Sequence, residues 1–321
     1  VEPPVVVPPP TVETRPLAYP ALRSATWGEV EGWPGDAAGD AWVAFLRGCK
    51  VLAKQTAWNA ACADAAARAR PDDAGVRAFF EARFLPYRAT NDDGSDEGLV
   101  TGYYAPLLRG DRVRGPRAKS PVYGVPADLV TVDLAGVYPE LKNMRLRGKL
   151  AGKKLVPYPA RRDIDAGNVA APVLGWVEDP VELFFLQIQG SGRIALPDGG
   201  HLRLGYADQN GHPYKSVGKL LVERGELKLE QASMQGIKRW GEANPDKLPG
   251  LLAENPSYVF FRELPNDLPG PLGALGVPLA GERAVAIDPR FVPLGAPLFL
   301  STTRPNSDVP LQRLVMAQDT G

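Results

Sequence analysis

Ala284-Val285-Ala286-Ile287-Asp288-Pro289-Arg290-Phe291-Val292-Pro293-Leu294-Gly295 reads as a short apolar strand, an Asp-Pro turn and a Pro-Leu-Gly approach to the next strand. Asp288 in such a turn can bond its own local backbone. Strands at Pro297–Leu300 and Arg313–Gln318 follow, and Tyr258–Arg262 comes before, so this end of the chain is β. The last motif, Ala317-Gln318-Asp319-Thr320-Gly321, puts an acid at the end of an apolar strand. Loops and strand ends of that kind are common homes for catalytic groups.

Upstream, residues 216–254 switch to helix. Ser216 is a natural N-cap and Gly225 a natural stop; a second helix runs near 229–241, and a third, short one ends before Asn255-Pro256. Ser216-Val217-Gly218-Lys219 has the Ser-x-x-Lys spacing of an acyl-transfer nucleophile. Its companion Lys-Thr-Gly and Ser-x-Asn elements are absent, and a helix cap followed by a surface lysine accounts for it.

Three polar constellations precede the helices. Leu183-Phe184-Phe185-Leu186-Gln187-Ile188-Gln189-Gly190-Ser191-Gly192-Arg193-Ile194 reads as strand, glycine-rich turn and strand, a hairpin. In that reading Gln187 and Gln189 share one strand face. Amides at the end of an apolar strand need partners, which sugar hydroxyls supply; two glutamines satisfied within a turn are the competing account. Gly205-Tyr206-Ala207-Asp208-Gln209-Asn210-Gly211-His212-Pro213-Tyr214 mixes rings and amides, as saccharide sites do, or forms an ordinary Asn-Gly turn. Leu99-Val100-Thr101-Gly102-Tyr103-Tyr104 reads as a strand broken at Pro106, one tyrosine facing each side and a glycine permitting close approach; plain packing of the rings is the alternative.

Residues 36–84 look helical: Trp42, Phe45, Leu46 and Cys49 recur at helical spacing, and Asp72 and Asp73 can cap a helix bearing Val76, Phe79, Phe80 and Phe84. Cys49 and Cys62 fall on two such helices, either as buried thiols or as a disulfide. Residues 1–20, rich in proline, read as an extended tether. Across the 321 residues, 37 basic and 37 acidic side chains balance, which excludes the basic footprint of a nucleic-acid binder. Two histidines without ligand spacing, no Walker A sequence and no strand-to-helix Gly-x-Gly-x-x-Gly point to no metal and no cofactor. The length suggests two domains.

Thr101–Tyr104, Gln187–Gly192, Gly205–Tyr214, Ser233-Met234-Gln235, Asn255-Pro256-Ser257-Tyr258-Val259-Phe260-Phe261 and Ala286–Gly295, in this order, resemble the membrane-bound lytic murein transglycosylase A family. The C-terminal β segment resembles its three-aspartate (3D) domain, with Asp288 and Asp319 at the first two aspartates. The resemblance implies a mainly β fold with some α. Residues 1–105 and 256–321 would form a double-psi β-barrel domain with N-terminal helices. An inserted substrate-binding domain at 106–255 would flank a groove between them. It implies cleavage of peptidoglycan glycan strands between N-acetylmuramic acid and N-acetylglucosamine through a single acid/base aspartate. That principal aspartate is expected beyond Gly321, with Asp319 supporting it. The substrate-contacting candidates are Thr101, Gly102, Tyr103, Tyr104, Gln187, Gln189, Ser191, Tyr206, Asn210, Tyr214 and Asp288. A monomer in the periplasm is expected, held at the outer membrane by a lipidated N-terminus, with other wall-synthesis or hydrolysis proteins as candidate partners. The rival reading is a non-catalytic, expansin-like module that binds or loosens the wall.

Overall fold

The structure is a computed structural model and describes residues 22–141, 144, 146–305 and 307–320. The proline-rich segment 1–20 and Gly321 lie outside the described residues. The chain divides into two compact units, one made of the residues up to Val100 and from Gly273 on, the other of Thr101–Leu272.

The first unit opens with β1 (Leu22–Ser24), α1 (Gly39–Leu52), α2 (Thr56–Ala67), α3 (Asp73–Arg83) and β2 (Tyr87–Ala89). The second contains β3 (Leu107–Asp111), β4 (Ser120–Tyr123), β5 (Val130–Thr131), β6 (Arg147–Ala151), β7 (Lys154–Pro157), α4 (Arg161–Asp165), β8 (Val173–Val177), α5 (Pro180–Gln189), β9 (Ser191–Ala195), β10 (His201–Gln209), α6 (Val217–Glu223), α7 (Met234–Ala243), α8 (Leu248–Leu252) and β11 (Val259–Leu264). The chain then returns to the first unit with β12 (Ala284–Ile287), β13 (Pro297–Thr303) and β14 (Pro310–Thr320). The architecture is mainly β with some α. No described helix is long and apolar enough to cross a membrane.

In the first unit the helical period places Trp42, Phe45 and Leu52 of α1 against Phe79 and Phe80 of α3, and Leu314 and Met316 of β14 complete the same core. The caps are local chemistry: Asp72 accepts the Gly75 N–H at 2.8 Å, and Asp73 reaches across to the Gly39 N–H at the start of α1, also at 2.8 Å. β14 is the centre of a three-stranded sheet, parallel to β12 and antiparallel to β13. Gln318, buried on β14, ties the strand to α1 by donating to the Ala44 carbonyl at 2.7 Å. Cys49 and Cys62 form a disulfide between α1 and α2, with Cα atoms 5.4 Å apart, which decides between the two readings of these cysteines. The bridge spans 13 residues, so its loss is expected to cost about 3 kcal/mol through chain entropy. Urea unfolding of Cys49→Ala/Cys62→Ala against wild type measures this; an unchanged midpoint would show that the crosslink adds nothing.

The second unit is built on a six-stranded sheet in the order β11-β10-β9-β3-β8-β4. A parallel bridge between Gly124 and Phe261 joins its two edges, so the sheet closes on itself. Leu108, Val122, Val177, Ile194, Leu202, Leu204 and Phe261 fill the interior, and Leu183 and Leu186 of α5 pack onto the same cluster. Burying each such side chain contributes about 1.5–3 kcal/mol. β5, β6 and β7 form a separate three-stranded sheet.

Three sequence expectations are corrected here. The stretch from Leu183 to Gln189 is helix, not strand. Asp179 caps it through the Val181 and Glu182 N–H groups, Pro180 sits in its first turn, and Gly190 ends it at φ 76°. Only Ser191–Ala195 is a strand, so there is no hairpin, and Gln187 and Gln189 do not share a face. Residues 99–106 are not a strand either; the first strand of this unit begins at Leu107. β11 hydrogen-bonds to β10 inside the second unit, so the unit runs to Leu272 rather than ending near 256.

Candidate functional site

The glycine-rich stretch after α5 gathers several of the sequence-predicted residues in the second unit. Gly190 needs its left-handed backbone, and a Cβ there would meet the Tyr206 Cβ at 3.8 Å. Ser191 on β9 pairs in register with Gly205 on β10, next to Tyr206. Gly192 has no room for a side chain, because a Cβ would lie 2.5 Å from Leu186 Cδ1 and 2.8 Å from the Pro106 carbonyl. That close approach brings residues 101–106 alongside: the Arg193 N–H donates to Pro106 O at 2.8 Å, and the Tyr104 N–H donates to Gln189 Oε1 at 3.3 Å. The Tyr104 hydroxyl reaches Met234 Sδ at 3.9 Å, at the first residue of α7.

Tyr103, Tyr104 and Tyr206 are 41%, 57% and 37% exposed. Partly exposed rings with an amide and a hydroxyl nearby offer apolar faces for sugar C–H surfaces and polar atoms for hydroxyls. Thr101 and Gly102 lie on the same exposed segment, and Tyr214 is exposed beyond β10. Met234 was in view only within the longer Ser233-Met234-Gln235 match; nothing local in the sequence pairs it with Tyr104.

Two predicted amides turn inward. Asn210 is 1% exposed. Its Nδ2 donates to the Pro159 and Pro256 carbonyls at 3.0 and 2.8 Å, and its Oδ1 accepts the Tyr258 N–H at 2.9 Å. Those bonds tie three chain segments and leave its amide no reach to a ligand. Gln187 is also buried, near the Tyr258 hydroxyl, with Oε1 lacking a described partner. Both amides therefore hold the site's foundation rather than its surface.

Beneath that foundation lies Arg161, which the sequence reading passed over. Its Nε donates to Asn255 O at 3.1 Å and its Nη2 to Ser257 O at 2.6 Å. The guanidinium lies over the rings of Phe184 and Tyr258, 4.7 and 4.9 Å from their centres. Burial lowers its pKa, and Asp165 partly restores it. Burial in turn raises the Asp165 carboxyl, opposed by Arg161. Asp165 is itself exposed at the surface, where solvent screens its charge. Arg161 and Asp165 line a cleft of about 1210 Å³ with Asp179, Glu182 and Lys238. Lys238 is held charged by bonds to Asp179 at 2.8 Å and Glu182 at 2.6 Å. None of Tyr103, Tyr104, Gln189, Ser191 or Tyr206 lines this cleft, so size alone does not mark the site.

The two predicted acids sit in the first unit. β12 and β14 are parallel, with Ala286 opposite Asp319 and Ile287 opposite Thr320, so Asp288 and Asp319 leave the sheet at the same end. Asp319 Oδ1 accepts the Ala274 N–H at 2.9 Å. Asp288 binds Arg290 through side chain and backbone, at 2.6 Å to Nη2 and 2.9 Å to the N–H. The Arg290 side chain, then its N–H, hold the Asp288 carboxyl below the ordinary range. Because the folded pKa is depressed, the pairing stabilises above the ordinary carboxylate pKa and is lost as pH falls through the folded value. Arg290→Ala is expected to move the Asp288 midpoint upward in a carboxyl-carbon NMR titration. An unmoved midpoint would assign the shift elsewhere.

Comparison with known proteins agrees with this arrangement. The MltA specific insert domain family matches residues 99–262, and the 3D domain family matches residues 283–321. The membrane-bound lytic murein transglycosylase A of Escherichia coli K12 is 34% identical over 230 residues, covering 69% of this chain and 55% of the relative. The chain thus spans about half the length of that curated relative. A crystal structure of MltA from Neisseria gonorrhoeae superposes with TM-score 0.81 at 40% identity, covering 94% of this chain and 82% of that one. The crystal structure of E. coli MltA with bound chitohexaose has TM-score 0.64 at 26% identity, covering 89% and 80%. With the insert family matched across residues 99–262 and the 3D domain following it in the same order as the motifs, the chain belongs to the membrane-bound lytic murein transglycosylase A family.

Proposed function

We propose that this chain works as a lytic transglycosylase on the glycan strands of peptidoglycan. The observation that carries the reading is the patch of Tyr103, Tyr104, Gln189, Ser191 and Tyr206, half-exposed rings gathered around a polar turn. The relative crystallised with chitohexaose supports a saccharide ligand. In this mechanism one carboxyl group protonates the oxygen linking N-acetylmuramic acid to N-acetylglucosamine, and the C1–O bond breaks. The muramic C6 hydroxyl attacks its own C1, and the resulting carboxylate takes the hydroxyl proton. The products are a 1,6-anhydromuramic end and a free N-acetylglucosamine 4-hydroxyl, with no water consumed. Intramolecular attack supplies the proximity that a bound water would otherwise need. Asp319 takes a supporting part beside the protonating carboxyl, and Asp288, kept ionised by Arg290, orders the same sheet end.

The reading extends to the parts. The second unit serves as the substrate-binding insert, and the sheet of β12, β14 and β13 belongs to a double-psi barrel. The protein acts as a monomer at the periplasmic side of the envelope, anchored at the outer membrane by an N-terminal lipid. The disulfide supports an oxidising compartment.

Digestion of purified peptidoglycan by the full-length protein, followed by mass spectrometry, tests the reaction. Anhydromuropeptides are the expected products. Reducing ends would make the protein a hydrolase, and no cleavage would favour wall binding alone. Tyr206→Ala is expected to weaken chitohexaose binding by about tenfold through loss of a ring face worth about 1–1.5 kcal/mol. Unchanged affinity in a calorimetric titration would remove Tyr206 from the site.

A further inference from the structure

From Lys142 to Leu155 the sequence carries Lys142, Arg145, Arg147, Lys149, Lys153 and Lys154 and no acidic residue. Most of this run folds as the β6–β7 hairpin, whose strands pair from Gly148–Pro157 to Ala151–Lys154 around the turn at Gly152 and Lys153. The chain as a whole is neutral, so this local excess of one sign is a feature rather than a background.

The hairpin is rooted beside the saccharide patch. Arg147 Nε binds Asp208 Oδ1 at 2.7 Å, with both side chains 16% exposed. Asp208 lies two residues beyond Tyr206 on β10, and a Cβ on Gly211 would lie 2.9 Å from Arg147 Cβ, so the root packs tightly there. The charge of Arg147 is spent on Asp208. Lys149, Lys153 and Lys154 form no ion pair with another described residue, and Lys153 and Lys154 are exposed. Leu150 and Leu155, opposite each other on one face, are 66% and 45% exposed. At about 3.4 Å per residue the tip stands roughly 15–20 Å from Arg147.

In peptide-bearing wall the lactyl carboxyl of muramic acid is tied up in its amide bond and the sugar hydroxyls are neutral, so the glycan itself offers such a hairpin little charge. The peptides that branch from muramic acid supply it: they carry free carboxylates and short apolar side chains. We propose that the β6–β7 hairpin is a subsite for these anionic stem peptides, with Lys149 and Lys154, on the face opposite Leu150 and Leu155, and Lys153 at the turn facing the carboxylates. The proposal rests on the saccharide reading of the neighbouring patch. It commits to the wall peptide over an anionic lipid surface because the hairpin is continuous with that patch through Arg147 and Asp208.

The test compares binding of the protein to intact sacculi and to chitohexaose, a neutral N-acetylglucosamine oligomer without carboxylates, at low and high salt. The probe variant is Lys153→Glu/Lys154→Glu, both exposed at the hairpin tip. The wild type is expected to bind intact sacculi about tenfold or more tightly than the variant at low salt, with the gap closing at high salt. Both proteins should bind chitohexaose alike. Equal binding of variant and wild type to intact sacculi would overturn the subsite while leaving the saccharide reading standing. So would loss confined to phosphatidylglycerol vesicles, which would give the hairpin to a lipid surface. Failure of the wild type to bind even chitohexaose would remove the saccharide reading and this proposal with it.

Discussion

Arg283→Met is expected to destabilise the first unit by about 3–5 kcal/mol, the cost of leaving one member of a buried ion pair without the other. Arg283 and Asp36 are 7% and 6% exposed. Arg283 Nη1 lies 3.0 Å from both Asp36 oxygens and 3.0 Å from the Leu314 carbonyl, while Nη2 donates to Ala37 O at 2.8 Å. Asp36 Oδ2 also accepts the Leu314 N–H at 2.8 Å. The pair thus clamps the segment before α1 to the middle of β14, and Asp36 Oδ1 has no other described partner than the guanidinium. Coulomb attraction alone would not justify the magnitude, because burial penalises both ions. The loss comes from stranding Asp36 in a site closed to water. Urea unfolding followed by the fluorescence of Trp33 and Trp42, both in this core, reads it out. In a cycle with Asp36→Ala the two changes should be far from additive, with a coupling of about 2–3 kcal/mol. Additive losses would show that the two side chains act independently.

Arg161→Ala is expected to cost the second unit about 3–5 kcal/mol and to weaken saccharide binding at the same time. The substitution strands the Asn255 and Ser257 carbonyls, at about 1–3 kcal/mol each. It also opens a void between Phe184 and Tyr258 and removes two cation–ring contacts of about 0.5–2 kcal/mol. Phe184 belongs to α5 and lies under the guanidinium, so the helix carrying Gln189 loses part of its seat. Arg161→Lys should recover little, since an ammonium lacks the planar fork that meets two carbonyls and two rings at once. Thermal unfolding and chitohexaose titration on the same samples separate the effects. Full stability with lost binding would place Arg161 at the ligand, and lost stability with intact binding would detach it from the site.

Local chemistry was legible in the chain alone. The apolar spacing of Trp42, Phe45 and Cys49 and the acids at Asp72 and Asp73 specify α1 and α3, because period and capping act within a few residues. Ser216 caps α6 as its sequence implies, through the Lys219 N–H, and the exposed Lys219 side chain pairs with Glu223, as a surface lysine does. The ordered motifs pointed to the family, and the strand bearing Asp319 runs as expected.

α5 was misread although its signals were present. Asp179-Pro180 and Gly190 mark its ends, but a short apolar run with two glutamines two apart also fits a strand's period. Length and caps decide such cases, and the internal sequence does not.

What the sequence by itself determined was therefore the caps and apolar period of α1 and α3, the cap of α6, and the family to which the order of its motifs belongs. The tertiary structure alone decided that Cys49 joins Cys62, that Asn210 spends its amide on the backbone, and that Asp36 meets Arg283 across 247 residues. The reason is range: capping and periodicity are contests between neighbours, whereas the partner of a buried polar group is whichever distant group the closed core brings within about 3 Å.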